Sequence, residues 1–138
     1  MSRTCINCKV VLTKRYKIKF CSNKCQADYR YKLFVVAWKK ESTKGLIGVR
    51  AKNISAYLRK YILKKYEDKC VLCGWNKRNP LTNKPAVEVD HIDGDSNNNS
   101  ENNLRLLCPN CHSLTPYFKN LNRGRGRKWR TEKYMKHT

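Results

Sequence analysis

No apolar run in this chain is long enough to cross a bilayer. The longest, Leu33 to Trp38, is far shorter than the roughly 20 residues a spanning helix needs. Acidic residues are scarce: 10 Asp and Glu stand against 31 Lys and Arg, for a formal net charge of +21 over 138 residues. Such an excess opposes compaction by self-repulsion and favours a polyanionic partner. Nucleic acid fits, because neutralised phosphates release condensed counterions. An anionic membrane surface is the competing reading, and no basic-flanked amphipathic anchor supports it. No apolar segment follows Met1-Ser2-Arg3-Thr4-Cys5, so the N-terminus does not read as a signal peptide. A reducing cytoplasm is therefore the expected compartment, and disulfides are not expected there.

The chain is rich in cysteine, with eight, and their order carries information. They fall in four hooks, Cys5/Cys8, Cys21/Cys25, Cys70/Cys73 and Cys108/Cys111, each enclosing two or three residues. Such a hook puts two thiolates on one metal, and two hooks complete a tetrahedral zinc site. Sequential pairing of the hooks is the simpler choice, with interleaved pairing as the alternative. Either way, two structural Zn²⁺ ions are expected. They compensate for the thin apolar core of a small chain.

Composition divides the chain into an N-terminal four-cysteine module over 1–40, a polar linker over 41–52, a second module over 53–118 and a basic tail over 119–138. Within the first, Val10, Leu12, Tyr16, Ile18 and Phe20 lie at even positions, which predicts a hairpin over Lys9 to Phe20 with its turn near Thr13 to Arg15. Ser22 or Asn23 then caps a helix to about Lys40. Ile54, Tyr57, Leu58, Tyr61 and Ile62 mark an amphipathic helix with Asn53 as its cap. Arg59 and Lys60 lie off its apolar stripe and Lys64 at its edge, either as a solvated face or as phosphate contacts. Strands are predicted at Val87 to Ile92 and Leu104 to Cys108, with a polar loop over Asp93 to Asn99 and a helix starting near Pro109 to Cys111. The tail carries Arg123, Arg125, Arg127, Lys128 and Arg130 between glycines, a flexible basic segment suited to following a DNA groove. Trp129 is equally suited to stacking on a base or docking on the protein.

The chemistry concentrates between the last two cysteine hooks. Asp90-His91, Asn103 and Cys108-x-x-Cys111-His112 supply a carboxylate, two imidazoles and an amide. A carboxylate and one histidine can hold a divalent cation while the other histidine activates water, which is the outline of metal-assisted hydrolysis. Asp93 and Asp95 read as loop residues.

Residues 70–118 resemble the HNH endonuclease family, in the zinc-bracketed form with a ββα-metal core. The resemblance rests on Cys70-x2-Cys73, Val89-Asp90-His91-Ile92-Asp93-Gly94, Asn102-Asn103-Leu104 and Leu107-Cys108-Pro109-Asn110-Cys111-His112. The phrase Cys111-His112-Ser113-Leu114-Thr115 is similar to stand-alone HNH nucleases of bacteriophages and mobile elements. It implies a small zinc-stabilised α+β fold, a ββα-metal core behind an N-terminal zinc-ribbon or knuckle-like module. It also implies a double-stranded DNA substrate, a catalytic Mg²⁺ or Mn²⁺ ion, and a bacterial or phage-infected cell as the setting. Carried over by position, His91 is the general base, Asp90 and His112 hold the catalytic ion, and Asn103 pins the loop and orients His91. Cys70, Cys73, Cys108 and Cys111 bind one structural zinc; Cys5, Cys8, Cys21 and Cys25 bind the second. Adjacent strand residues face opposite ways, so convergence of Asp90 and His91 on one phosphate requires a bend at the strand's end. A monomer or weak dimer is expected, and a non-catalytic zinc-finger nucleic-acid binder is the alternative function.

Overall fold

The computed structural model describes residues 3–41, 46–47 and 53–122. Its longest element, helix α1 (Asn23–Lys40), starts where the sequence places it: the Ser22 side chain accepts the Cys25 N–H at 3.1 Å. This satisfies one of the donors that a helix start leaves unpaired. Lys39 and Lys40 occupy the last turn, where cations complement the helix dipole.

Ahead of α1 the expected hairpin over Lys9 to Phe20 does not form. Thr4 and Val11 make an isolated antiparallel bridge instead, with Leu12 N–H on the Arg3 carbonyl at 2.7 Å and Ile6 N–H on the Lys19 carbonyl at 3.0 Å. Residues 9–12 thus pair with the segment carrying Cys5, and the remainder turns back toward Cys21. Leu12 alone of the alternating set is buried, while Val10, Tyr16 and Ile18 are exposed. A module this small has no second layer for a hairpin face to cover.

The second periodic segment also starts later than expected. Helix α2 runs Ala56–Lys65 and is capped by Ser55, whose hydroxyl accepts the Leu58 N–H at 3.1 Å. Asn53 is not its cap: a two-residue strand, β1 (Leu46–Ile47), pairs antiparallel with β2 (Asn53–Ile54), and strand pairing keeps Asn53 and Ile54 extended.

Strand β3 (Glu88–His91) pairs antiparallel with β4 (Leu104–Leu107), and the short helix α3 (Pro109–Ser113) follows. Pro109 sits in the first turn of α3, where its missing N–H costs nothing. Strand, strand and helix form the ββα unit. The core joins Trp38 from α1, Leu58 and Ile62 from α2, and Val87, Leu104, Leu106 and Leu107 from the ββα unit, with Cys70 and Cys108 beside them. Each fully buried aliphatic side chain contributes about 1.5–3 kcal/mol. Six such residues and Trp38 make a small core, which four thiolates on a metal would reinforce.

Helix α1 therefore belongs to both modules. Its first turn holds Cys25, and near its end the Trp38 ring packs edge-on against Tyr61 of α2, with centroids 5.0 Å apart. Phe34 and Tyr31 both pack against Tyr57, at 5.4 and 5.8 Å. Among the described residues no helix is long and apolar enough to cross a membrane. Most of the expected linker, and Arg123, Arg125, Arg127, Lys128 and Arg130 of the tail, lie outside the described residues.

Candidate active site

The register of the two strands builds the site. Asp90 stands opposite Arg105 and His91 opposite Leu104. Side chains two apart on a strand share a face, so Glu88 and Asp90 point together toward α3. There His112 meets both: its Nδ1 lies 2.7 Å from Glu88 Oε2 and its Nε2 3.6 Å from Asp90 Oδ1. The other Asp90 oxygen, Oδ2, accepts from Arg105 Nε at 2.7 Å. Asp90 is buried and His112 partly so, which fixes both groups. Glu88 as acceptor puts the ring proton on Nδ1 and turns the Nε2 lone pair toward Asp90. A carboxylate behind a histidine is a common arrangement at metal ligands.

Asp90 Oδ1 and His112 Nε2, 3.6 Å apart, are close enough to share one cation. An oxygen and a nitrogen donor with further positions open suit Mg²⁺ or Mn²⁺ better than a closed structural site. Phe118 packs edge-on against the His112 ring at 5.3 Å.

His91 ends β3, and the chain turns at once, with Gly94 N–H returning to the His91 carbonyl at 3.0 Å. The turn requires glycine, because φ is +74° and a Cβ would overlap the Tyr117 side chain. No hydrogen bond joins His91 to Asp90 or His112 among the described residues; its Nε2 instead lies 2.9 Å from Asn99 Oδ1. Asn103 contacts the loop rather than the imidazole. Its Oδ1 accepts the Asp93 N–H at 3.0 Å, and its Nδ2 donates to Asp93 Oδ1 and the Asn98 carbonyl, both at 2.8 Å. Asp93 and Asp95 are consumed in the same loop, accepting the backbone N–H of Asp95 and Asn97 at 2.8 and 2.9 Å. Burial opposes ionisation of Asp93, but hydrogen bonds from Asn98, the Asp95 backbone and Asn103 prevail and hold its pKa below the usual carboxylate value.

Glu88, Asn99 and Arg105 are contacts that sequence reasoning did not assign. The strand pattern puts Glu88 on the face of Asp90, so a signal for it existed. Arg105 needed the strand register, and Asn99 sits in a run of asparagines that periodicity cannot rank.

The eight cysteines gather into two clusters, Cys5/Cys8/Cys21/Cys25 and Cys70/Cys73/Cys108/Cys111, each with its sulfurs within 4.8 Å of one another. Sequential pairing of the hooks is the arrangement adopted. Sulfurs on a tetrahedral zinc stand about 3.8 Å apart, from bonds of about 2.3 Å. The Cys8–Cys21, Cys21–Cys25 and Cys73–Cys108 separations of 3.5, 3.3 and 3.7 Å are close to that spacing. Backbone N–H groups also favour thiolates. That of Cys8 leads in lowering Cys5 to about 6; at Cys70 burial opposes, but the N–H groups of Cys108, Cys73 and Leu72 still bring it to about 6. Cys21 is pushed up to about 12 by its hydrogen bonds with Cys25 and Cys8, and Cys111 to about 12 by those with Cys73 and Cys108. Four crowded thiols cannot all ionise without a cation among them, so these clusters fit zinc.

Of the basic residues on α2, Arg59 donates to the Val87 carbonyl at 2.9 Å and is structural. Lys60 lies over the Tyr31 ring at 4.5 Å, and Lys64 lines a hollow between α1 and α2.

Residues 70–115 match the HNH endonuclease family. Over 58 residues the chain is 47% identical to H-N-H endonuclease F-TflIV of Escherichia phage T5, an overlap of 41% of this chain and 24% of that protein. The matched segment thus spans about a quarter of the relative's length. No solved structure gives a significant match.

Proposed function

We propose that this protein, whose residues 70–115 belong to the HNH endonuclease family, is a metal-dependent DNA endonuclease that hydrolyses phosphodiester bonds in double-stranded DNA. The observation that carries the reading is the Asp90–His112 pair, 3.6 Å apart, each held from behind by a charged partner, with His91 next in the chain. His91 acts as general base, taking a proton from the attacking water, a task for which imidazole is the usual side chain. Asp90 and His112 hold one Mg²⁺ or Mn²⁺ ion, which when bound neutralises charge developing on the phosphate and the departing 3′-oxygen. Arg105 fixes Asp90 and Glu88 fixes His112. Asn103 ties the loop after His91, so the base keeps its place. Two Zn²⁺ ions, one per four-cysteine cluster, are structural. Arg123, Arg125, Arg127, Lys128 and Arg130 supply phosphate contacts that position the duplex without reading its sequence. The setting is the cytoplasm of a bacterial or phage-infected cell, and the protein acts as a monomer or weak dimer.

Supercoiled plasmid incubated with Mg²⁺ or Mn²⁺ tests this. Protein loaded with two zinc ions per chain is expected to give open-circle or linear DNA, and His91→Ala to give neither. No cleavage by the zinc-loaded wild type, with DNA still bound, would leave a non-catalytic zinc-finger binder as the better description.

A further inference from the structure

We propose that Trp38 and Asn99 are positioning residues for the base: the N-terminal module, through α1, holds His91 by Nε2 and leaves Nδ1 as the nitrogen that takes the proton. This rests on the endonuclease reading above. Asn99 is fully buried, and its Oδ1 lies 2.9 Å from His91 Nε2. Its backbone carbonyl accepts the indole N–H of Trp38 at 2.8 Å, across 61 positions of sequence. Trp38 is itself buried, packed against Tyr61 in the shared core.

Three features make this more than incidental packing. Burying an amide is costly unless its polar atoms are paired. Asn99 Nδ2 has no partner among the described residues, so the His91 ring is what pairs this buried side chain, through Oδ1. An amide oxygen can only accept, so the nitrogen facing it carries the ring proton and the lone pair resides on Nδ1. Indole N–H can only donate, so the Trp38 contact has a fixed sense and anchors the loop at the residue that holds the ring. Asn103 clamps the loop at Asp93 and Asn98, on either side of its tip, but among the described residues makes no hydrogen bond to the imidazole. Asn99 does that, and Trp38 holds Asn99.

The other end of α1 begins beside Cys21 and includes Cys25, both in the first cysteine cluster. A helix of 18 residues, about 27 Å long, therefore joins the N-terminal cysteine cluster to the loop whose Asn99 holds the base. The first module is then a structural support for catalysis, in addition to any role on DNA.

The test uses full-length, zinc-loaded protein. Trp38→Phe removes the donor and keeps an aromatic ring; Asn99→Ala removes the acceptor; Asn99→Asp keeps an oxygen at Oδ1. Plasmid nicking is followed for kcat and KM, and His91 is observed by ¹⁵N NMR of histidine-labelled protein, assigned against His91→Ala. Trp38→Phe and Asn99→Ala are expected to lower kcat about 10–100-fold with KM unchanged, and Asn99→Asp to recover most of the loss. In wild type His91 is expected as the Nε2–H tautomer, with that proton exposed to faster exchange in both defective variants. Unchanged kcat in folded Trp38→Phe, or an Nδ1–H tautomer in wild type, would overturn the proposal. If Asn99→Ala does not fold, Trp38→Phe decides. If wild type cuts no DNA the endonuclease reading fails, while the tautomer and exchange measurements still decide whether these residues hold the ring.

Discussion

Glu88 is the exposed member of the acid–histidine cluster, and its contribution is separable from folding. It touches His112 at Nδ1, leaving Nε2 free for an ion beside Asp90. Glu88→Ala removes the acceptor from a side chain 60% exposed, so stability is expected to change little. Affinity for the catalytic ion is expected to fall about tenfold, the low end for residues that orient a metal ligand. The measurement is the Mn²⁺ concentration giving half-maximal cleavage, with Mn²⁺ electron paramagnetic resonance as an independent count of bound ion. An unshifted midpoint would mean that His112 keeps its orientation without Glu88. Asp90 behaves differently, because its carboxylate is buried with Arg105 on one oxygen. Losing it leaves a partly buried guanidinium unpaired, and damage to folding would mix with loss of the ion.

Among the elements, the link between the two helices and the ββα unit converges on one carboxylate. Glu101, at the start of the 3₁₀ turn leading into β4, accepts Tyr61 Oη–H at 2.7 Å. It also pairs with Lys39 of α1 at 3.2 Å and Lys65 of α2 at 3.1 Å. The Tyr61 hydroxyl is the main cause lowering its pKa, with Lys65 and Lys39 adding to it against the opposing effect of burial. A carboxylate whose folded pKa lies below the unfolded value, about 4.3 for Glu, stabilises the fold fully above that pH. The contribution is lost as pH falls through the folded value. Glu101→Gln is therefore expected to melt below wild type near neutral pH, and the two curves to converge as pH falls below about 4. Acid also protonates the cysteine clusters of both proteins, so the quantity to follow is the difference between the pair at each pH. A gap that stayed constant down to acid pH would show that the charge of Glu101 plays no part.

For the molecule as a whole, charge is the dominant property, a net +21 over 138 residues. Lys39 and Lys65 share the single negative charge of Glu101, and Arg59 is bound to a carbonyl; the tail residues Arg123, Arg125, Arg127, Lys128 and Arg130 carry the main expectation of phosphate contact. If each of the five meets one phosphate, deleting residues 123–138 is expected to reduce the slope of log affinity against log salt by about four to five. Fluorescence anisotropy over a salt series checks this. An unchanged slope would mean that the tail does not touch the backbone of DNA.

The sequence by itself determined the features that depend on local chemistry: two four-cysteine clusters, the capped α1, the strand–loop–strand–helix order of the second module, and an HNH-like set of acid, imidazole and amide. Thiol spacing, capping hydroxyls and turn-forming asparagines act within a few residues, so they are visible in a linear chain. The hairpin over Lys9 to Phe20 was misread because alternation says which residues share a face, not whether a layer exists to cover it. The cap of α2 was misplaced because pairing with β1 holds Asn53 in a strand. Only the tertiary structure decided that Glu88 and Arg105 flank the Asp90–His112 pair, since that follows from strand register and the docking of α3. It alone brought Trp38 to Asn99 across 61 positions, because burial of a helix end in a neighbouring module's core is a long-range choice that no local pattern encodes.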